Sequence, residues 1–66
     1  MTQKELLYIE DAIGHEKNII AIISDAINTL EDDNLISFMT NELKTHQKMH
    51  KDLINLLEDN AKWMIK

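Results

Sequence analysis

The chain of 66 residues contains no cysteine and no proline, and it has a single glycine. Without cysteine there are no disulfides to stabilise a small core, and such a chain suits a reducing compartment. Because proline is absent and glycine is nearly so, long helices meet few interruptions. The composition therefore favours an all-α protein that is stabilised by something other than covalent cross-links.

Basic charge and long apolar runs are also scarce. Twelve acidic residues against seven basic ones give a formal charge of −5. Nucleic acids and anionic membranes attract basic surfaces, so we expect neither as a partner. The longest apolar run, residues 19–23, has five residues, far fewer than the ~20 of a membrane span. Residues 1–5 lack the apolar core of a signal peptide, so we expect a soluble, cytoplasmic protein.

The sequence contains neither a Gly-rich phosphate loop nor a recognisable Ser/His/Asp set. We identify no catalytic residue, and the sequence favours a non-enzymatic role. The length predicts one domain, residues 1–66, which buries only about 60% of the surface of its unfolded chain. Oligomerisation or a bound metal remains as the means of stabilising so small a core.

The first half of the chain predicts one helix, from about residue 3 to 30. Thr2 and Glu5 have the spacing of a capping box, which satisfies the free N–H groups at a helix start. Glu16 fills the single gap in an apolar series with steps of three and four. That series consists of Leu6, Ile9, Ile13, Ile20, Ile23, Ile27 and Leu30. With its neighbours the apolar side covers about 200°, twice the ~100° stripe of a helix that packs on one partner.

The second half predicts another helix, from about residue 34 to 63, after a short acidic connection at residues 31–33. Asp32 or Asp33 is placed to cap this helix, and so short a connection makes the two helices antiparallel neighbours. The apolar side of the second helix is also roughly 200° wide. It includes Leu35, Ile36, Phe38, Met39, Leu43, Met49, Leu53, Ile54, Leu56, Leu57 and Trp63.

Two apolar sides of this width cannot both be covered within a single hairpin. Each helix needs two neighbours, and the simplest closed arrangement is a two-fold dimer of hairpins, which forms a four-helix bundle. We therefore predict an antiparallel two-helix hairpin that forms a homodimer.

Four polar side chains interrupt the apolar sides and are the candidate site residues: Glu16, Glu42, His46 and His50. The last three follow one another at steps of four, so they share one helix face. If the chain turns at residues 32–33, the residue numbers of a facing pair add up to about 65. Glu16 then lies within reach of both His50 and His46. In that register Glu42 joins them only through a partner chain or a bridging water.

Two interpretations of these residues remain open. One is a metal site for iron, manganese or zinc with Glu16, His46, His50 and Glu42 as ligands, since facing carboxylates and imidazoles form such sites in bundles. His15, at the edge of its apolar side, is a further candidate. The other interpretation is a Glu16–histidine ion pair or polar layer that fixes the helix register. A buried carboxylate without a partner is costly, so both predict that Glu16 is paired.

The residues Glu16-Lys17 and His46-Gln47, with the short acidic connection between them, resemble the coat F family of spore-forming bacteria, within the ferritin-like group. The resemblance extends over about residues 5–58. It implies a ferritin-like helical fold, a spore-associated structural role and other spore coat proteins as partners. The chain departs from the family at Lys44 and Thr45, where acids usually precede this histidine. It also holds one hairpin, half of a ferritin-like bundle, which favours dimerisation.

Two functions follow as hypotheses. The first is a small self-associating structural or interaction protein, associated with the spore coat if the resemblance holds. The second is a non-haem metal protein of the ferritin-like kind that uses Glu16 and His46 with His50. A helical module that binds another protein is a third interpretation if an apolar face remains uncovered.

Overall fold

A computed structural model describes the backbone of residues 1–64 and the side chains of residues 1–60. It contains two α-helices, α1 (Gln3–Thr29) and α2 (Asp33–Met64), which pack against each other as a hairpin. The prediction of an all-helical hairpin is therefore confirmed. Helix α1 ends one residue earlier than predicted, whereas α2 begins one residue earlier. Trp63, which we assigned to the apolar side of the second helix, lies outside the residues whose side chains are described.

The start of α1 is fixed by the capping box that the sequence predicts. The Glu5 backbone N–H donates to Thr2 Oγ1 at 3.1 Å, and the Thr2 backbone N–H donates to Glu5 Oε1 at 2.9 Å. Hydrogen bonding with Thr2 holds the pKa of the Glu5 carboxyl below its ordinary value. The bond with the Thr2 backbone has the largest effect, and the bond with the Thr2 side chain comes second. These bonds satisfy N–H groups that the first helical turn leaves free.

The connection between the helices consists of residues 30–32 and sets the register of the hairpin. Leu30 leaves the helical conformation with φ −69° and ψ 144°. Asp32 then caps α2, because its Oδ1 accepts from the Leu35 backbone N–H at 3.0 Å. The turn is thus centred on Glu31 instead of residues 32–33. The residue numbers of a facing pair therefore add up to about 62, as the contact between Glu16 and His46 illustrates. The predicted sum of about 65 is wrong.

The two helices contact each other through one heptad-spaced row on each, which we call the inner positions. Every inner position is buried or half-buried, as expected of residues at the contact between the two helices. On α1 the inner positions are Leu6, Ile9, Ile13, Glu16, Ile20, Ile23 and Ile27. On α2 they are Ile36, Met39, Leu43, His46, His50, Leu53 and Leu57.

The hairpin buries very little completely. It measures 51 × 15 × 12 Å, and among residues 1–60 only Ile23 and Glu16 fall below one tenth exposure, at 6% and 8%. Leu53, which we assigned to the apolar side of the second helix, is half-buried. In the described part of the chain, neither helix contains a segment long and apolar enough to cross a membrane.

We expect Ile23→Ala to lower the free energy of unfolding by about 2–5 kcal/mol, because Ile23 is the most buried apolar side chain of the described residues and its truncation leaves a cavity. Leu7→Ala is the control, since Leu7 is 54% exposed and should change stability by less than about 0.5 kcal/mol. Urea denaturation followed by circular dichroism measures both. Equal effects would show that Ile23 is not part of the core.

Candidate functional site

The closest polar contact between the helices joins Glu16 of α1 to His46 of α2. Glu16 Oε2 lies 2.6 Å from His46 Nδ1, and the two side chains are 11% and 20% exposed. Glu16 sits between inner positions occupied by isoleucine, where a carboxylate without a hydrogen bond would be strongly destabilising. The imidazole supplies that bond, so the prediction that Glu16 is paired with a histidine is confirmed.

Glu42 approaches the other nitrogen of the same imidazole. Its Oε2 lies 3.7 Å from His46 Nε2, and its side chain is 42% exposed. The contact is made within one chain, because Glu42 lies one helical turn before His46 on α2. Glu42 therefore lies beside His46 within one chain, whereas we expected it to join the other candidates only through a partner chain or a bridging water. The result is an acid–imidazole–acid row that runs from the helix contact toward solvent.

The hydrogen positions in this row follow from the roles of the atoms. An ionised carboxylate only accepts hydrogen bonds, so the short contact with Glu16 assigns the hydrogen to His46 Nδ1. In a neutral imidazole Nε2 then carries a lone pair, which faces the Glu42 carboxylate. In an imidazolium both nitrogens carry hydrogens and can interact favourably with both acids. The row thus places one imidazole between two carboxylates.

The structure separates the remaining candidate residues from this row. His50 is half-buried at the next inner position, and His15 is exposed. Within residues 1–60, neither histidine forms a side-chain hydrogen bond or ion pair with an acid. No group of three or more His, Cys, Asp or Glu residues suited to hold a metal ion occurs in the described part of the chain. The four predicted ligands therefore stay a prediction, of which the structure brings Glu16, His46 and Glu42 into contact.

A second feature lies beside the inner positions: the residues that directly precede every inner position except Leu6, which we call the association face. Glu5, which precedes Leu6, belongs to the capping box. On α1 the association face comprises Tyr8, Ala12, His15, Ile19, Ile22 and Ala26, and on α2 it comprises Leu35, Phe38, Glu42, Thr45, Met49, Asp52 and Leu56. Eight large apolar side chains of the described residues are exposed, and all but Met1 and Leu7 belong to this face. Exposed apolar area is therefore concentrated on these positions.

The α1 and α2 parts of the association face lie on the same side of the hairpin. A rotation by 180° about an axis perpendicular to the plane of the hairpin superposes α1 on α2. This rotation does not exchange the two sides of that plane. Because the face precedes the inner positions by one residue on both helices, the two rows project to a common side. The residues that follow the inner positions form the opposite side, which we call the polar face. It includes Glu10, Lys17, Lys44, Gln47, Lys51 and Glu58, with Leu7 and Ile54 as its only large apolar residues.

A shallow groove marks the end of the association face that is far from the turn. It has a volume of about 280 Å³ and is lined by Met49, Asp52, Leu53 and Leu56. Asp52 forms an ion pair with Lys48 at 2.8 Å, and this hydrogen bond raises the pKa of Lys48 above its ordinary value. Asp52, at the rim of the groove, is thus paired with Lys48. The other residues that line the groove are apolar.

The sequence contains a pattern that predicts that both parts of the association face lie on one side of the hairpin. From the sequence we had inferred only the width of the apolar side of each helix. The pattern is the shared one-residue offset, visible as Tyr8-Ile9 and Ile22-Ile23 on α1 and as Phe38-Met39 on α2. Its interpretation needs the antiparallel pairing and the correct inner positions. Both depend on where the turn is centred, and our register differed from the observed one.

Comparison of the chain with protein-family models, with curated proteins and with solved structures finds no match. The resemblance to the coat F family therefore continues to rest on Glu16-Lys17, His46-Gln47 and the connection between them. The geometry gives two of these residues, Glu16 and His46, a shared role in pairing the helices. Function must be argued from the acid–imidazole–acid row and the association face.

We expect His46→Leu to destabilise the protein by about 1–3 kcal/mol, because the Glu16 carboxylate then loses its partner inside an apolar row. Glu16→Gln should cost less, since an amide oxygen still accepts from Nδ1. The combined replacement Glu16→Leu with His46→Leu should recover much of the loss, because two apolar side chains pack together. Denaturant titration of these three variants and of the single Glu16→Leu variant tests this. If the two leucine substitutions simply add their costs, the contact does not couple the helices.

Proposed function

We propose that this protein is a small self-associating structural protein whose hairpins form a homodimer through the association face. The observation that carries this proposal is the concentration of exposed apolar side chains on that face. Ile22 is 66% exposed, Phe38 60% and Leu35 50%. Apolar surface concentrated on one side of a small protein is typical of protein contact sites, whereas scattered exposed apolar residues are not informative.

The dimensions of the face suit an interface between two hairpins. A whole side of the hairpin has a flat outline of 51 by 15 Å, roughly 750 Å², which is of the same order as the ~800 Å² of accessible surface that each partner buries in a standard interface. Covering it also supplies what a 66-residue chain without disulfides lacks, namely a second layer over its core. Two hairpins stacked in this way form a four-helix bundle in which each helix has two neighbours.

The polar face explains why association would stop at two hairpins. Its charged residues of both signs, among them Lys17, Lys44 and Glu10, are exposed. Charged side chains are depleted from the centres of protein interfaces, so this side is suited to water. A two-fold dimer buries the same face on both copies and leaves no further apolar side.

The spore coat is the setting that the coat F resemblance suggests. A coat component would use self-association directly, and other spore coat proteins would be its further partners. Metal binding by Glu16, His46, His50 and Glu42 is the alternative. The two carboxylates approach opposite nitrogens of His46, so a metal site would require these described side chains to rearrange. We favour the structural role because the contact with His46 already satisfies the Glu16 carboxylate without a metal.

We expect sedimentation equilibrium at micromolar concentration to give about twice the chain mass of 7.7 kDa. Phe38→Glu should weaken the dimer about 30-fold or more, because it places a charge at an aromatic contact, a loss of about 2 kcal/mol or greater. Gln47→Glu is the matched control, since it adds the same charge on the polar face and should leave the mass unchanged. A folded monomer at these concentrations contradicts the proposal.

Titration calorimetry with ferrous, manganous and zinc ions distinguishes the structural role from the metal alternative. We expect no micromolar binding by the wild-type chain, since His46 is occupied by the two acids. Micromolar or tighter binding that disappears in Glu16→Gln, with the helices intact by circular dichroism, would favour the metal protein. His15→Gln serves as the control for binding at an exposed histidine.

A further inference from the structure

The association face is mainly apolar toward both ends, with Asp52 as the charged residue at the end far from the turn, and it is polar at mid-length. Ile22, Leu35 and Phe38 lie toward the turn, whereas Tyr8, Met49 and Leu56 lie toward the other end. His15, Thr45 and Glu42 occupy the middle, about 24, 21 and 17 Å from the turn at the helical rise of ~1.5 Å per residue. In a two-fold dimer of hairpins the middle of one face meets the middle of the other, whichever way the turns point.

Association changes the surroundings of Glu42 most of all. In a single hairpin its side chain is 42% exposed, and its distance of 3.7 Å from His46 Nε2 is longer than a hydrogen bond. Water therefore solvates this carboxylate in the monomer. A second hairpin on the association face removes that water, and a buried carboxylate without a full partner would oppose binding.

The face supplies one side chain that can meet this need. His15 is its only residue able to carry positive charge, and it is exposed. When the turns of the two copies point the same way, α1 of one copy stacks on α2 of the other. The partner copy's equivalent of His15 then lies about 7 Å from the height of Glu42 along the bundle axis at the helical rise of ~1.5 Å per residue. The side chains of glutamate and histidine together span such an offset, as the Glu42–His46 contact one turn apart illustrates.

We propose that dimerisation places the His15 side chain of one copy against Glu42 of the other, which extends the row to Glu16–His46–Glu42–His15 across the interface. This inference rests on the proposed function, because it requires the association face to be covered by a second copy. The polar middle then acts as the orienting element of the dimer, and the apolar ends provide the buried area. Each bundle contains the extended row twice by symmetry.

A double-mutant cycle on dimer dissociation tests the contact. We expect His15→Gln and Glu42→Gln each to raise the dissociation constant about tenfold, and the double variant to raise it about tenfold instead of a hundredfold, because both changes remove the same contact. Sedimentation equilibrium measures the four constants, and circular dichroism verifies that the helices are intact. The matched control replaces His15→Gln by Lys17→Gln on the polar face, which should leave the effect of Glu42→Gln unchanged.

The possible results separate this inference from the proposed function. A wild-type chain that is monomeric at micromolar concentration overturns both. A wild-type dimer in which His15→Gln has no effect, in which Glu42→Gln tightens binding, or in which the two changes multiply, overturns the His15–Glu42 contact alone. Coupling confined to the His15–Glu42 pair supports the contact.

Discussion

Two helices that pair along a single line can cover only one stripe of each other, and this constraint governs the molecule. Both α1 and α2 have apolar sides about twice as wide as such a stripe. The hairpin therefore uses its inner positions for internal pairing and leaves neighbouring positions in solvent, where Ile22, Tyr8 and Phe38 are the most exposed of the large apolar side chains in residues 1–60. In the proposed dimer, a second hairpin covers the apolar surface that the pairing of α1 with α2 leaves exposed.

Most of the fold could be predicted from the sequence because its determinants are local. The capping box at Thr2 and Glu5, the absence of proline and the regular steps of isoleucine specify α1 without reference to distant residues. The acidic connection likewise specifies a cap for α2, although two adjacent aspartates left its position open by one residue. The structure selects Asp32, a choice that depends on the backbone conformation of Leu30 and not on composition.

The candidate site was less predictable because it depends on register between the helices. A shift of the turn by one or two residues changes which histidine faces Glu16, and our assumed turn left both His46 and His50 within reach. The observed turn at Glu31 selects His46. Glu42 is the opposite case, because its contact with His46 arises from spacing along α2 alone. It was overlooked in favour of distances to Glu16.

The position of the Glu16–His46 contact has a consequence for fidelity of assembly. Heptad rows of isoleucine and leucine pair almost as well when they slide by seven residues, so apolar rows alone specify alignment poorly. A slide of one heptad would set Glu16 against Met39 or Leu53 and leave a carboxylate without a donor. Misaligned pairings between neighbouring chains, including exchange of whole helices between hairpins, are thereby penalised, and the chain is guided to a single alignment by its least apolar inner residue.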